Sequence, residues 1–295
     1  MNDEIEFIKH ELKKRGYPLE SYVQSLLVSK KWHVQPNAYF LDKDTDKGRE
    51  LDIKAIFDDF KSYSWSHLII NLFIQCRKLP GNAWVFFSPP KLSAPYKHIT
   101  KYGLTDFLRL GSSPLGIFDP KGTHFDKSEI LATNYCEVIT DKKKSNKRTD
   151  NIWECVITLI KATSQELQEA STDTRQFIDV DEGSFDEFIK DPFELVSIFY
   201  PLIVFDGKMY EAKFSNDEIT LEAKEYVQLF VDYISGRYKG RFFIDIVSKE
   251  GFSEYLKNIF NDLLVFNKRR LEKSEEYQKS TFKKLEQYYR KNRVF

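Results

Sequence analysis

The chain holds little of what would quickly place a protein. Only three of its 295 residues are cysteine: Cys76, Cys136 and Cys155. The number is odd, each lies in an apolar context, and no Cys-x-x-Cys or Cys/His pair occurs. Neither a disulfide framework nor a structural zinc site is expected, and a reducing, cytoplasmic compartment fits. The longest apolar runs, Leu68-Ile69-Ile70 and Leu263-Leu264-Val265-Phe266, fall far short of the ~18 residues of a membrane span. No membrane partner is therefore expected. The opening MNDEIEFIKHELKKRG is charged and amphipathic, unlike a signal peptide. Glycine is scarce, at 12 residues, and no glycine-rich phosphate loop occurs, which argues against an NTPase. No serine sits in a nucleophile elbow, and His10, His33, His67, His98 and His124 have no metal-ligand spacing. Net charge is also absent: 45 Lys and Arg balance 45 Asp and Glu, so a uniformly basic coat is excluded.

What is present is globular. Hydrophobic residues make up 41% and charged residues 31%, enough apolar mass for a core. The length suits one large domain or two small ones. The charge is unevenly spread. Residues 268–295 carry ten Lys or Arg against four Glu, and 141–148 carry five against one acid. Residues 165–194 carry ten acids against two bases. Such asymmetry marks either a polar binding surface or solvated helix faces.

Apolar periodicity gives the elements. Residues 4–15 read as an amphipathic helix with Ile5, Ile8 and Leu12 on one face. Gly16 stops it, and Tyr17-Pro18 opens a helix at 19–32 with Leu19, Val23, Leu26 and Leu27 facing inward. A strand is expected at 33–41, then a polar turn. Asp42, Asp44 and Asp46 in that turn alternate as in an EF-hand, but Gly48 falls too late and position twelve is Ile53, so a solvated turn is expected. Residues 50–57 alternate, with Leu51, Ile53, Ala55 and Phe57 on one side and Asp52 and Lys54 on the other. Residues 67–76 are apolar throughout, as a strand buried on both faces would be, and 83–87 read as a further short strand. Residues 101–110 suit a short helix, 111–126 a loop, 150–170 a long helix, and 173–191 an acidic loop. Asp206-Gly207 between 197–205 and 208–214 signals a hairpin. Strands at 225–234 and 241–248 and helices at 251–265 and 268–291 complete the chain. The expected organisation is a core over 1–215, with an insertion at about 79–149, and a strand and helix extension over 216–295 partly packed on it.

Three polar features fall at fixed places in this order. Glu20 lies in the first turn of the helix at 19–32. Asp52 lies mid-strand in Arg49-Glu50-Leu51-Asp52-Ile53. Gln75 and Arg77 flank Cys76 at the end of the buried strand, in Ile74-Gln75-Cys76-Arg77-Lys78. Asp is depleted in strands, and residues 75 and 77 share one strand face. RELDI followed by LIINLFIQCRK and AWVFF resembles the PD-(D/E)XK nuclease superfamily, in its Mrr-like variant with Gln in the acidic slot. The likeness covers about residues 16–90.

The resemblance implies an α/β, restriction-endonuclease-like mixed sheet flanked by helices, here with additional C-terminal strands and helices. It implies a metal-dependent endonuclease acting on nucleic acid, DNA first, in bacterial defence or repair. Mg²⁺ or Mn²⁺ would be the cofactor, because hydrolysis of a phosphodiester needs an activated water and charge neutralisation, and such cations take oxygen ligands. Asp52 would supply a carboxylate, Gln75 its side-chain carbonyl and Cys76 its backbone carbonyl. Glu20 would hold a second metal or a metal-bound water. Arg77 would orient the water and stabilise the phosphate, with Lys54 as the spatial substitute. The chain departs from the family pattern in two ways. Gln75 removes a negative charge, and Arg77, always protonated, cannot act as a base. A catalytically degraded member, serving as a nucleic-acid-binding or assembly subunit, is therefore the alternative, and a plain interaction protein is a third. Each residue also has a bland explanation: an edge position for Asp52, helix capping for Glu20, and the exit of a buried strand into solvent for Gln75 and Arg77. Basic segments 142–148 and 268–293 would contact phosphates. Tyr63, Trp65, Tyr96 and Tyr102 could stack bases. The sparse apolar positions of 268–291 point to a homodimer through the C-terminal region.

Overall fold

The computed structural model describes residues 2–13, 16–58, 66–88, 105–106, 123, 131–140, 151–176, 194–215 and 218–272. Helix α1 (Asn2–Lys13) precedes α2 (Tyr17–Ser29), strands β1 (His33–Asp42), β2 (Lys47–Asp58) and the long β3 (Ser66–Phe87). Short strands β4 (Thr105–Asp106) and β5 (Leu131–Ala132) and strand β6 (Asn134–Ile139) follow. Then come helix α3 (Asn151–Gln176), strands β7 (Glu194–Ser215), β8 (Glu218–Ala223), β9 (Tyr226–Ile234) and β10 (Lys239–Ser248), and helix α4 (Phe252–Glu272).

Among the described residues the strands form one mixed sheet, ordered β1-β2-β3-β7-β10-β9-β5, with β4 and β8 also on β7 and β6 on β3. β1, β2 and β3 form an antiparallel meander. β7 then runs parallel to β3, and β10 parallel to β7. The helix between β3 and β7 provides the crossover that parallel strands require. Segments within 79–149 and 216–295 thus join the same sheet as the core strands.

Alternation in the central strands builds two cores. On β3 and β7, Ile70, Leu72, Ile74, Tyr200, Leu202 and Val204 face α2 and α4. Phe73, Phe199, Ile203 and Phe205 face α3, which contributes Ile152, Cys155, Val156, Leu159 and Ile160. Strands buried on both faces read as unbroken apolar runs, which is why 67–76 carries no alternation. Leu19, Val23 and Leu27 of α2 are buried as expected, with Leu26 half-buried. α1 differs: Ile5, Phe7, Ile8 and Leu12 all remain exposed.

Five expectations are corrected. Residues 67–76 and 83–87 form one strand, and so do 197–205 and 208–214; there is no hairpin at Asp206-Gly207. The two long strands pair side by side, with Lys78 opposite Asp206 and Ala83 opposite Lys208. Residues 79–82 of β3 therefore bulge against Gly207 alone, and Gly81 takes φ 83°. The Thr140 N–H and hydroxyl both donate to its carbonyl at 2.9 Å. Thr105–Asp106 pairs with β7 as a strand, so it is not helical; the rest of 101–110 lies outside the described residues. α3 runs on to Gln176, into the expected acidic loop. α4 runs unbroken across 266–268 to Glu272, where two helices were expected. Residues 111–122, 142–148, 177–191 and 273–295, and Tyr63, Trp65, Tyr96 and Tyr102, lie outside the described set.

Gly207 serves packing rather than turning. A Cβ there would stand 2.6 Å from Phe205 Cε1. The Phe205 ring is stacked on Trp84, centroids 3.9 Å apart and planes 6° off parallel. Gly207→Ala is expected to displace that stack and cost about 1–3 kcal/mol, read as a lower urea midpoint. An unchanged midpoint would mean that the ring moves aside freely.

Candidate functional site at Asp52

The β1–β2 and β2–β3 ladders set the site. β1 registers Pro36 with Ile53 and Ala38 with Leu51; Asn37 between them takes φ 48°. Asn is among the few residues that accept this left-handed region. On the other side, the β2–β3 register ends at Ile53–Ile74. Asp52 therefore sits where β2 leaves β3. Its carboxylate takes over from the ladder: the Cys76 backbone N–H donates to Asp52 Oδ2 at 2.7 Å, and Gln75 Nε2 donates to Oδ1 at 3.3 Å. In a strand the N–H and C=O of one residue address the same neighbour, so the Cys76 carbonyl also faces the β2 side. With Nε2 on Asp52, Gln75 Oε1 is the amide atom that offers a lone pair.

Glu20 reaches the same centre from the first turn of α2. Gly16 caps that helix through its carbonyl, with no side-chain cap, and proline stands at its start. Burial raises the Glu20 carboxyl above its ordinary value, and the Asp52 and Glu50 charges push further; Arg77 opposes them. Asp52 is also raised, by burial first, against the Cys76 N–H, Arg77 and Gln75, which favour its charge. The Asp52 charge thus stands close enough to Glu20 to resist its ionisation, while burial and the Glu50 charge resist that of Asp52. The protonated forms of Glu20 and Asp52 favour the fold. That stability is fully present below the ordinary carboxyl value near 4 and is lost as pH rises through the raised folded values. Asp52→Asn is expected to melt a few degrees above wild type at neutral pH and level with it below about pH 4. A calorimetric pH series checks this; a lower melting temperature at neutral pH would contradict it.

Arg77 shares a strand face with Gln75 but turns to α3. Burial opposes its charge, while the Asp52 and Glu154 carboxylates and a hydrogen bond from the guanidinium to the Cys155 sulfur favour it. Burial pushes the Cys155 thiol up to about 12 and the Cys76 thiol well above its ordinary value. Both are thiols at neutral pH, so Cys76 can offer a cation its carbonyl but not a thiolate. Lys54 is engaged elsewhere. Its Nζ lies 2.5 Å from Glu166 Oε1 of α3 and 5.8 Å from the Phe73 ring centroid. The pair borders a cavity of about 130 Å³ lined also by Gln35, Leu51, Phe73 and Ala162.

The structure therefore brings Asp52, Gln75, the Cys76 backbone, Glu20 and Arg77 together and gives Lys54 a different partner. Glu50, Glu154, Cys155 and Glu166 had not been singled out. Glu50 could have been found, two residues before Asp52 in the same motif. The α3 residues carried no local signal, because only the crossover brings them to β3. Among the described residues, no three His, Cys, Asp or Glu side chains converge as a metal-ligand group, and no helix is long and apolar enough to cross a membrane. The donors at hand are two carboxylates, an amide oxygen and a backbone carbonyl. That set suits Mg²⁺, which binds through one or two carboxylates and keeps several waters.

No protein-family model, curated protein or solved structure matches this chain.

Proposed function

We propose that the chain is a metal-dependent endonuclease of the PD-(D/E)XK, restriction-endonuclease-like type, acting on nucleic acid, with DNA as the first candidate. The observation that carries this reading is the position of Asp52. It lies where two antiparallel strands part, hydrogen-bonded to Gln75 and Cys76. The element order α2-β1-β2-β3-α3-β7, with β7 parallel to β3, supports it, since the same order follows from the family likeness.

In this reading Asp52 and Glu20 hold a divalent cation, with the Gln75 amide oxygen and the Cys76 carbonyl as neutral donors. Held there, such a cation would supply an activated water and neutralise charge on the phosphate. Burial of the two carboxylates favours their pairing with a cation over mutual repulsion. Arg77 offers a fixed positive charge toward a phosphate oxygen. The Cys155 sulfur and Glu154 hold it in place.

The second reading is a nucleic-acid-binding or assembly subunit without cleavage. The Arg77–Cys155 hydrogen bond favours it, because the cation beside the site is tied to the scaffold. Purified protein incubated with plasmid, single-stranded DNA or RNA, with Mg²⁺ or Mn²⁺ against EDTA, separates the two. Metal-dependent cleavage, lost in Asp52→Ala, is expected. Binding without cleavage on any substrate and metal replaces the first reading with the second.

A further inference from the structure

Two lysines outside the Asp52 cluster share one carboxylate on β7. Lys78 follows Arg77 on β3 and so points to the opposite face. Its Nζ lies 3.1 Å from Asp206 Oδ2 of β7. Lys249, just past β10, places its Nζ 3.9 Å from the same oxygen. The main chain fixes both. Lys78 registers with Asp206, and the Lys249 N–H donates to the Phe205 carbonyl at 2.9 Å. Two parallel strands and the residue that follows a third thus carry Lys78, Asp206 and Lys249.

These residues lie on the Glu20 side of the sheet. The Lys249 Nζ is 5.6 Å from the ring centroid of Tyr22, two residues beyond Glu20 on α2. Helix α4 begins at Phe252, just after Lys249, and adds the partial positive charge of its first turn. Two cations against one carboxylate leave a positive excess. The side chains of Lys78, Asp206 and Lys249 are 21%, 24% and 37% exposed. They are held by the scaffold yet open to a ligand. A purely structural pair would need only one lysine. The second stands at the limit of ion-pair distance, over a tyrosine face.

We propose that Lys78 and Lys249 form a phosphate site for the nucleic-acid strand, on the sheet face that carries Glu20. Asp206 is the resident anion that the strand phosphate displaces. The site rests on the nucleic-acid reading above, and its lysines lie outside the basic segments 142–148 and 268–293.

The test is binding of labelled single-stranded and duplex DNA oligonucleotides by fluorescence anisotropy over a salt series, with EDTA or Ca²⁺ in place of Mg²⁺. Circular dichroism and melting first establish that each variant is folded. Phosphate contacts release counterions, so log affinity falls linearly with log salt. The double variant Lys78→Gln/Lys249→Gln is expected to reduce the steepness of that line by about two. Asp206→Asn removes the competing charge and is expected to bind about two- to fivefold tighter. Inorganic phosphate should displace the oligonucleotide only weakly; displacement at matched concentration would overturn the strand assignment. An unchanged slope, or an Asp206→Asn that binds no tighter, overturns the lysine site while leaving the nuclease reading intact. No binding of any oligonucleotide by wild type, in EDTA or Ca²⁺, overturns both.

Discussion

Asp52→Ala is expected, on the nuclease reading proposed above, to lower metal-dependent cleavage by about 10³-fold or more. Asp52 is the carboxylate on which the other groups converge. The Cys76 N–H and the Gln75 amide both hold it, and the Arg77 and Glu50 charges both act on it. Without it, Glu20 is the remaining carboxylate of the set, and the amide and carbonyl oxygens are too weak to hold a hydrated Mg²⁺ alone. The substitution also leaves the Cys76 N–H without its acceptor, a cost of about 1–3 kcal/mol, while removing a destabilised carboxylate. Asp52→Asn is the cleaner companion, since its amide oxygen can still accept that hydrogen bond. Both variants should lose cleavage while remaining folded by circular dichroism. Equal cleavage by wild type and both variants would assign the activity to a contaminant and remove Asp52 from the site.

The largest stability effect is expected far from Asp52, at Lys161 of α3. Its Nζ donates to both oxygens of Asp42, at 2.8 and 3.0 Å, and lies 2.9 Å from Asp44 Oδ2. Asp42 is 1% exposed, with Arg49 Nε 3.4 Å away at the rim. Around this pair the chain ties three distant segments. The Lys43 N–H donates to the Tyr238 hydroxyl, that hydroxyl donates to the Leu41 carbonyl, and the Arg237 N–H donates to Asp44 Oδ1. Lys161→Met would strand a buried carboxylate and is expected to cost about 3–5 kcal/mol, about 10 °C in melting temperature. The double variant Asp42→Asn/Lys161→Met should recover most of that loss, because the buried charge leaves with its partner. A double variant no more stable than the single one would contradict this account.

The pH dependence gives an independent check. Burial alone would raise the Asp42 carboxyl; the Lys161 hydrogen bonds and charge and the Asp44 backbone N–H outweigh burial and hold it below its ordinary value. A depressed folded value means stability that is present above the ordinary carboxyl value near 4 and is lost as pH falls through the folded value. Wild type should lose this contribution in acid. In Lys161→Met only the Asp44 N–H, the Thr45 hydroxyl and Arg49 still oppose burial, so acid should cost the variant less stability than it costs wild type. The sign in wild type is the opposite of that at Asp52 and Glu20.

The solvated turn expected at Asp42–Asp46 shows where local reading stops. Alternating aspartates with no calcium-loop spacing are ordinary turn residues, and nothing within ten positions announces a lysine 119 residues away. The Asp206-Gly207 dipeptide misled for a related reason. Its turn chemistry is real in isolation, but the flanking runs pair in parallel along the full length of β3, and that pairing outweighs a dipeptide preference. Lys54 followed the same course: alternation placed it on the Asp52 face, and Glu166 of α3 then claimed its charge.

Read alone, the sequence determined what is local and periodic. It placed α2 and its buried face, the β1 and β2 strands, the two-sided burial within 67–76, seen at 70–76, the start of α3 and the β9 and β10 strands. It also singled out Asp52, because Asp is depleted in strands, and Glu20, Gln75 and Arg77 through their places in the element order and the family likeness. Tertiary structure alone decided which of these meet and what else holds them. The parallel β3–β7 pairing made two predicted strands into one, twice over. The crossover helix brought Cys155 to Arg77, Glu166 to Lys54 and Lys161 to Asp42. Hydrogen bonds and ion pairs between residues a hundred positions apart leave no period in the chain. Their partners become adjacent only when burial of both sheet faces folds the helices over the strands.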